Sequence, residues 1–230
     1  MHGEAPFLRE ALASVLAQDP PPDEVVVVDD ASPVPLELAE EGVTLVRREE
    51  RGGPAAARQT GLETLNAELV ALCDADDAWE PGKLIVQHEA LSRHPAAAVC
   101  FGRAVVVDES GAPTGERWQE LQPGEQPAEE MRALLFRRNP IPNSSVLIRR
   151  GALEAAGGFA SPVPFGVEDW DLWLRLAARD ERLVYEPAAR IRYRRHSGGL
   201  SNDVTRGAQA QMAIHERHSS LVDGDARRRA

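Results

Sequence analysis

Between Asp19-Pro20-Pro21-Pro22 and Asp30 the chain reads Glu24-Val25-Val26-Val27-Val28-Asp29, an unbroken β-branched run. Four branched residues in succession disfavour helix, and the absence of polar alternation leaves no face for water. The run therefore predicts a strand buried on both sides. Such a strand needs helices above and below it, and the flanking sequence supplies them. Residues 6–18 place Phe7, Leu8, Leu12, Val15 and Leu16 at helical spacing before the prolines stop the helix. A short helix is expected after Ser32-Pro33, a strand at 43–46, and a helix from Gly52-Gly53-Pro54 to about Asn66. A third strand at 69–73 ends in Asp74-Ala75-Asp76-Asp77, followed by a helix at 81–93 and a strand at 97–101. This alternation predicts an α/β fold with a mostly parallel sheet and helices on both faces. Ligands of such sheets sit beyond the carboxyl ends of strands, where Asp29-Asp30 and Asp74–Asp77 both stand.

The second half is less regular. Residues 109–127 are polar, with Gly and Pro, and read as a long surface loop. A helix is expected at 128–138, a strand at 145–148 and a strongly apolar helix at 168–179, with short strands around Tyr185 and at 191–193. The last twenty-odd residues suit one amphipathic helix and a basic, frayed tail, DARRRA. No internal repeat and no linker between independent domains is evident.

Composition narrows the function. The 230 residues carry 37 acidic against 26 basic groups, a net charge of −11, which argues against a nucleic-acid binder. No apolar run approaches the roughly 18–20 residues of a membrane span, and the first residues lack the basic and apolar regions of a signal peptide. Cys73 and Cys100, the two cysteines, lie in apolar strand-like runs and are expected to be buried thiols in a reducing compartment. Lys83 is the only lysine among 26 Lys and Arg residues, a bias that suggests GC-rich coding.

The acidic turn at 74–77 is the sharpest chemical signal. Three carboxylates in four residues repel one another unless a cation or solvent relieves them. Carboxylates at i and i+2 can reach one hard cation, and oxygen ligation suits Mg²⁺ or Mn²⁺ with phosphate and water completing the shell. The bland alternative is a solvated turn that caps the next helix. Asp29-Asp30 could accept from a nucleobase or ribose, or simply form an Asx-turn. Arg51-Gly52-Gly53-Pro54, with Arg58 one turn in, offers free N–H groups to an anion, or is only a turn before a helix. Glu168-Asp169-Trp170-Asp171 opens a helix; its acids could merely favour the helix dipole, or hold a general base at a cleft edge. His196, between Arg194-Arg195 and Ser197-Gly198-Gly199, is either solvated or a nitrogen donor to a metal or diphosphate.

Taken in order, eight segments resemble family 2 glycosyltransferases of the GT-A fold: FLREALASVLAQ, EVVVVDDAS, RGGPAAARQTGL, LVALCDADDAWEPGKL, IPNSSVLIRR, GALEAAGGF, EDWDLWLRLA and YRRHSGGLS. The resemblance covers roughly residues 6–200 and implies a nucleotide-diphospho-sugar transferase with a Rossmann-like N-terminal half. It divides the chain into a GT-A domain, 1–204, with a nucleotide-binding half (1–108) and an acceptor and catalytic half (109–204), followed by a C-terminal helix and tail, 205–230. It further implies that Asp30 contacts the base of a nucleotide sugar, with uracil expected, while Asp29 supports the strand end. Asp74 and Asp76 match the DxD pair. Asp76 is the nearer metal ligand, Asp74 serves the ribose and metal, and Asp77 lies towards the sugar. Arg58 matches an arginine of the family, although Gln59 replaces the usual Asn. Asp169 matches the catalytic base, and His196 a histidine beside metal and diphosphate. The expected reaction is a metal-dependent, inverting transfer of a sugar from a nucleotide donor, UDP-linked by expectation, to an acceptor hydroxyl, with Mn²⁺ or Mg²⁺.

One departure stands out. Family members open with an apolar strand and a Pro-Thr-Tyr-Asn-like turn, and Met1-His2 stand roughly where the Tyr-Asn would be. The explanations open from sequence are a start upstream of Met1, a truncated and weakly active protein, and a sheet completed by another chain or a homo-oligomer. Competing functions are a catalytically silent nucleotide-sugar-binding or scaffolding module, and a nucleotidyltransferase, which would be expected to show a Gly-rich phosphate loop near its start. A cytoplasmic location, at most peripheral to the membrane, is expected.

Overall fold

The computed structural model describes residues 7–118, 120–163, 166–199 and 204–221, without the side chains of 204–207. The DARRRA tail and the end of the YRRHSGGLS segment lie outside them. In chain order the elements are α1 (Leu8–Leu16), β1 (Val25–Asp29), β2 (Val43–Arg47), α2 (Gly53–Thr64), β3 (Leu69–Ala71), β4 (Ala78–Trp79), α3 (Lys83–Arg93) and β5 (Ala97–Val107). There follow β6 (Pro113–Arg117), β7 (Gly124–Gln126), α4 (Ala128–Arg137), β8 (Val146–Arg149), α5 (Arg150–Ala155), α6 (Glu168–Ala178), β9 (Arg182–Arg194) and α7 (Val204–Arg217).

The strands form two sheets. β1 and β2 pair in parallel as a sheet of their own. The other seven form a mixed sheet in the order β3-β8-β5-β9-β4, with β6 on β5 and β7 on β9. Among the described residues parallel pairing occurs only in β1–β2 and β5–β9, which corrects the expectation of a mostly parallel sheet. The reason is β8, from the second half of the chain, which inserts antiparallel between β3 and β5. No strand of the described residues joins the two sheets. Val25–Val28 are accordingly half-buried rather than covered on both faces as the apolar run predicts.

Helices cover the larger sheet on both sides. On one face the core joins Leu62 of α2, Met131 and Leu135 of α4, Leu153 of α5, Trp173 and Leu174 of α6, and Ala210 and Ile214 of α7. On the other, Ala90 and Leu91 of α3 pack on Cys100, Leu147 and Val184, and Val15 of α1 packs on Trp79 and Ile191. Cys100 is buried and Cys73 partly so, both as free thiols. The long β5–β9 pairing passes a pinch at Gly102, where a Cβ would stand 1.8 Å from the Ala189 carbonyl oxygen, so only glycine fits.

Three further expectations change. No helix follows Ser32-Pro33; Leu36 N instead donates to Asp29, and a second proline, Pro35, removes another helical donor. Residues 109–127 are not wholly loop, because Asp108 accepts from Ser110 and Ala112 in a tight turn that returns β6 along β5, and β7 pairs with β9. The two short strands expected near Tyr185 and 191–193 are one strand, β9. Among the described residues no helix is long and apolar enough to cross a membrane.

Candidate active site

The acidic turn leaves the sheet at the end of β3. Asp77 N donates to the Asp74 carbonyl (3.1 Å), closing the turn before β4. Ser144 braces it from the 3₁₀ turn at Asn143–Ser145: its hydroxyl accepts from Asp74 N (2.9 Å) and donates to Asp77 Oδ2 (2.5 Å). Arg194, at the end of β9, holds the other side. Its backbone N donates to Asp77 Oδ1 (3.0 Å) and its Nε to the Asp76 carbonyl (3.0 Å). Asp77 is only 2% exposed, and burial beside Asp74 and Asp76 pushes its carboxyl well above the ordinary value. The structure thus places Asp77 inside the turn's hydrogen bonding, with Asp74 and Asp76 at the surface.

Because Arg194 is fixed there, the next turn of chain brings His196 over the same end of the sheet. His196 Nε2 lies 3.0 Å from Asp76 Oδ2, and the imidazole rests 5.1 Å, centroid to centroid, from the Phe7 ring. A groove of about 490 Å³ beside it is lined by Asp108, Glu109, Ser110, Arg195, His196 and Ser197.

Arg58 joins this turn to the start of α6. It projects from the second turn of α2, and its Nη2 donates to Asp74 Oδ1 (2.7 Å) while Nη1 donates to Glu168 Oε1 (2.8 Å). Burial opposes the Arg58 charge, but Asp74 and Glu168 outweigh it and hold the guanidinium above its ordinary value. Asn143 Nδ2 gives Asp74 Oδ1 a further bond (2.9 Å). Asp74 is therefore engaged by Arg58 and Asn143, while Asp76 faces His196.

Asp169 follows Glu168 on α6, a helix anchored by Trp170 and Trp173, which are 8% and 0% exposed. Its Oδ1 accepts from Trp170 N (2.7 Å) and its Oδ2 from Asn139 Nδ2 (3.0 Å). Burial, then the neighbouring Glu168 charge, raise its carboxyl to about 7, with Arg58 opposing. A carboxylate titrating there is matched to taking a proton near neutral pH.

Asp29 and Asp30 are both engaged by partners within the chain. Asp29, 4% exposed, accepts from Ser32 N and Leu36 N and pairs with Arg47. Burial pulls its carboxyl upward, but these partners outweigh it and hold it at about 2. Asp30 accepts from Gly52 N (3.0 Å) and Gly53 N (2.6 Å) and pairs with Arg48 Nε (2.8 Å). The donors at the start of α2, for which the sequence leaves an anion site and a simple turn both open, meet a carboxylate of this chain. A side chain at Gly52 would crowd the helix, since a Cβ there would stand 2.6 Å from the Ala56 Cβ.

Asn139 and Arg194 carry no role in the sequence expectations, which place the Pro140–Ser144 region only at the acceptor side and assign the base to Asp169 rather than to Glu168 beside it. Asn143 and Ser144 lie in the IPNSSVLIRR segment and Glu168 in EDWDLWLRLA, so the motifs held the signal without assigning it.

The mixed sheet flanked by helices has the GT-A glycosyltransferase fold. The protein-family model for glycosyl transferase family 2 matches residues 1–155, and the chain belongs to that family. It is 41% identical over 103 residues to the succinoglycan biosynthesis protein ExoW of Rhizobium meliloti, covering 40% of this chain and 32% of that protein. Its fold resembles S. aureus TarS 1-349 in complex with UDP-GlcNAc, with a TM-score of 0.68 at 17% identity over 87% of this chain and 58% of that one. It also resembles the mannosyltransferase PcManGT from Pyrobaculum calidifontis in complex with GDP-Man and Mn²⁺, with a TM-score of 0.64 at 23% identity over 94% and 61%. The chain therefore spans about a third of ExoW's length and under two thirds of both solved chains.

Proposed function

We propose that the chain transfers a sugar from a nucleoside-diphosphate sugar to an acceptor hydroxyl, with inversion at the anomeric carbon. The observation that carries this reading is the Arg58 bridge, which holds Asp74 and Glu168 by one guanidinium at 2.7 and 2.8 Å. It supports a single cleft between the acidic turn, where the diphosphate would lie, and the helix that bears Asp169.

Asp169 is the proposed general base. It takes the proton of the acceptor hydroxyl as that oxygen forms its bond to the anomeric carbon. The bond from that carbon to the diphosphate oxygen breaks on the opposite face, so the configuration inverts and a nucleoside diphosphate leaves. Arg58 and Asn143 orient Asp74 towards the donor's ribose, and Asp77 keeps the turn in shape. Rigid placement of donor and acceptor supplies much of the acceleration.

The donor set also fits a divalent cation held jointly with the substrate. Among the described residues no three His, Cys, Asp or Glu side chains gather into a protein-only metal cage. Asp76 Oδ2 and His196 Nε2 instead offer one oxygen and one nitrogen side by side, with the Asp76 side chain 40% exposed. Mg²⁺ and Mn²⁺ commonly take one or two protein ligands and complete their shell with phosphate oxygens and water. Asp76 and His196 would hold the ion, whose chemistry there is to neutralise charge on the departing diphosphate. The Asp74 oxygen held by Arg58 and Asn143 supports a role for Asp74 at the ribose rather than on the ion.

A panel of UDP- and GDP-sugars with Mn²⁺, Mg²⁺ or chelator, read by nucleoside diphosphate release and by NMR of the product anomer, tests this reading. Cation-dependent release with an inverted product is expected. Release from no donor, with every candidate acceptor class supplied, would overturn it.

A further inference from the structure

Asn139 stands between α4 and the buried Pro140-Ile141 pair, and two hydrogen bonds fix its amide. Its Oδ1 accepts from Ile141 N (3.0 Å), which can only donate, so the NH₂ end must face the other way. That end meets Asp169 Oδ2 at 3.0 Å, across 30 residues of sequence. The segment that carries Asn139 is itself anchored. Ile141 is fully buried, and Trp118 Nε1 donates to the Pro140 carbonyl (2.9 Å). Trp170 Nε1 donates to the Leu135 carbonyl in the last turn of α4 (2.6 Å), so α4 and α6 cannot slide apart without breaking it.

We infer that Asn139 is the positioning residue that aims the Asp169 carboxylate. With Trp170 N on Oδ1 and Asn139 Nδ2 on Oδ2, neither oxygen can rotate out of place, and each keeps a lone pair for an incoming proton. A neutral amide suits this role. It stabilises the carboxylate by donation without the cation that would quench its basicity. The charged groups that bear on Asp169 are Glu168 from its own helix, Arg58 from α2 and Asp74 from the end of β3. The segment after α4 adds the uncharged Asn139. The inference rests on the proposed base role of Asp169 for its catalytic meaning, but not for the contact itself.

The variants Asn139→Asp and Asn139→Ala separate donation from loop structure. In Asn139→Asp one oxygen still accepts from Ile141 N while the donor to Asp169 is lost and a like charge is added. In Asn139→Ala both bonds are lost. The full chain, labelled with ¹³C at aspartate carboxyls and without ligand, is titrated by NMR, and the Asp169 signal is assigned by its loss in Asp169→Asn. The expected result is an upward shift of the Asp169 midpoint by about one pH unit in Asn139→Ala and by more in Asn139→Asp. An unchanged midpoint in both variants overturns the inference, whatever happens to their stability.

UDP release from UDP-glucose with Mn²⁺ is the second readout. It is expected to show the alkaline shift in its pH profile and a lower kcat, by about tenfold, with donor KM unchanged. If Asp169→Asn releases UDP as fast as the unmodified chain, the base assignment fails. The titration result stands apart from that outcome.

Discussion

Asp76 Oδ2 and His196 Nε2 lie 3.0 Å apart although 120 residues separate them in the chain. The contact depends on Arg194, whose backbone and guanidinium grip Asp77 and the Asp76 carbonyl and so deliver the following residues to the acidic turn. Sheet order makes this inevitable, because β9 pairs with β4 immediately beyond that turn. The pair is the proposed cation seat.

With UDP present, Mn²⁺ binding followed by calorimetry or electron paramagnetic resonance is expected to weaken at least tenfold in Asp76→Ala and in His196→Ala. In Glu154→Ala, a surface carboxylate paired with Arg150 on α5, it should change little. Equal affinity in all three would remove Asp76 and His196 from the metal assignment.

Arg58→Ala leaves the Asp74 and Glu168 carboxylates facing each other without their shared cation. Glu168 is 7% exposed and cannot simply turn to solvent. A loss of about 3 kcal/mol in denaturant-measured stability is expected, with loss of donor turnover. A stability change under about 0.5 kcal/mol would show that the bridge is only a surface pair.

The Asp169 carboxyl, raised to about 7, is protonated and unable to accept a proton below that pH. Turnover is therefore expected to rise about tenfold per pH unit on the acid side and to level off above neutrality. Its effect on stability has the opposite sense. A raised acid favours the folded chain at low pH, and that contribution is lost as pH rises through about 7. A pH profile flat from 5 to 8 would exclude Asp169 as the titrating base.

Asp171, fully buried two residues further on, accepts from Ser161, Arg175, Arg217 and His218 and so ties α7 to α6. Burial opposes its charge, but these donors outweigh it and hold it at about 2. The stabilisation is complete above the ordinary carboxylate value and disappears as pH falls through about 2, a contribution of about 2.5 kcal/mol. Asp29, also held at about 2, adds to the same acid window. Denaturation midpoints between pH 5 and 2 should fall less steeply in Asp171→Asn, which has already lost this term. Parallel slopes would contradict it.

The sequence made some of this legible for definite reasons. The Val25–Val28 run and the helix spacing of Phe7 to Leu16 are local patterns, and both elements form. The acidic turn was readable because three carboxylates cannot cluster without a cause. What escaped was long-range. Nothing within 145–148 announces that this strand enters antiparallel between β3 and β5, since its neighbours are set by packing of distant segments. β6, Pro-Thr-Gly-Glu-Arg, is exposed throughout and carries no apolar alternation to betray a strand. Asn139 is a neutral amide beside a proline, and only the fold reveals that its donor meets Asp169. The half-burial of Val25–Val28 likewise follows from the separation of the two sheets.

The central claim, that Asp169 abstracts the acceptor proton in a nucleotide-sugar transfer, is tested most directly by comparing Asp169→Asn with the unmodified chain. Nucleoside diphosphate release and donor affinity by calorimetry are measured on the same preparations. Donor affinity within about twofold and turnover lower by about a thousandfold or more are expected. Undiminished turnover in Asp169→Asn would contradict that claim.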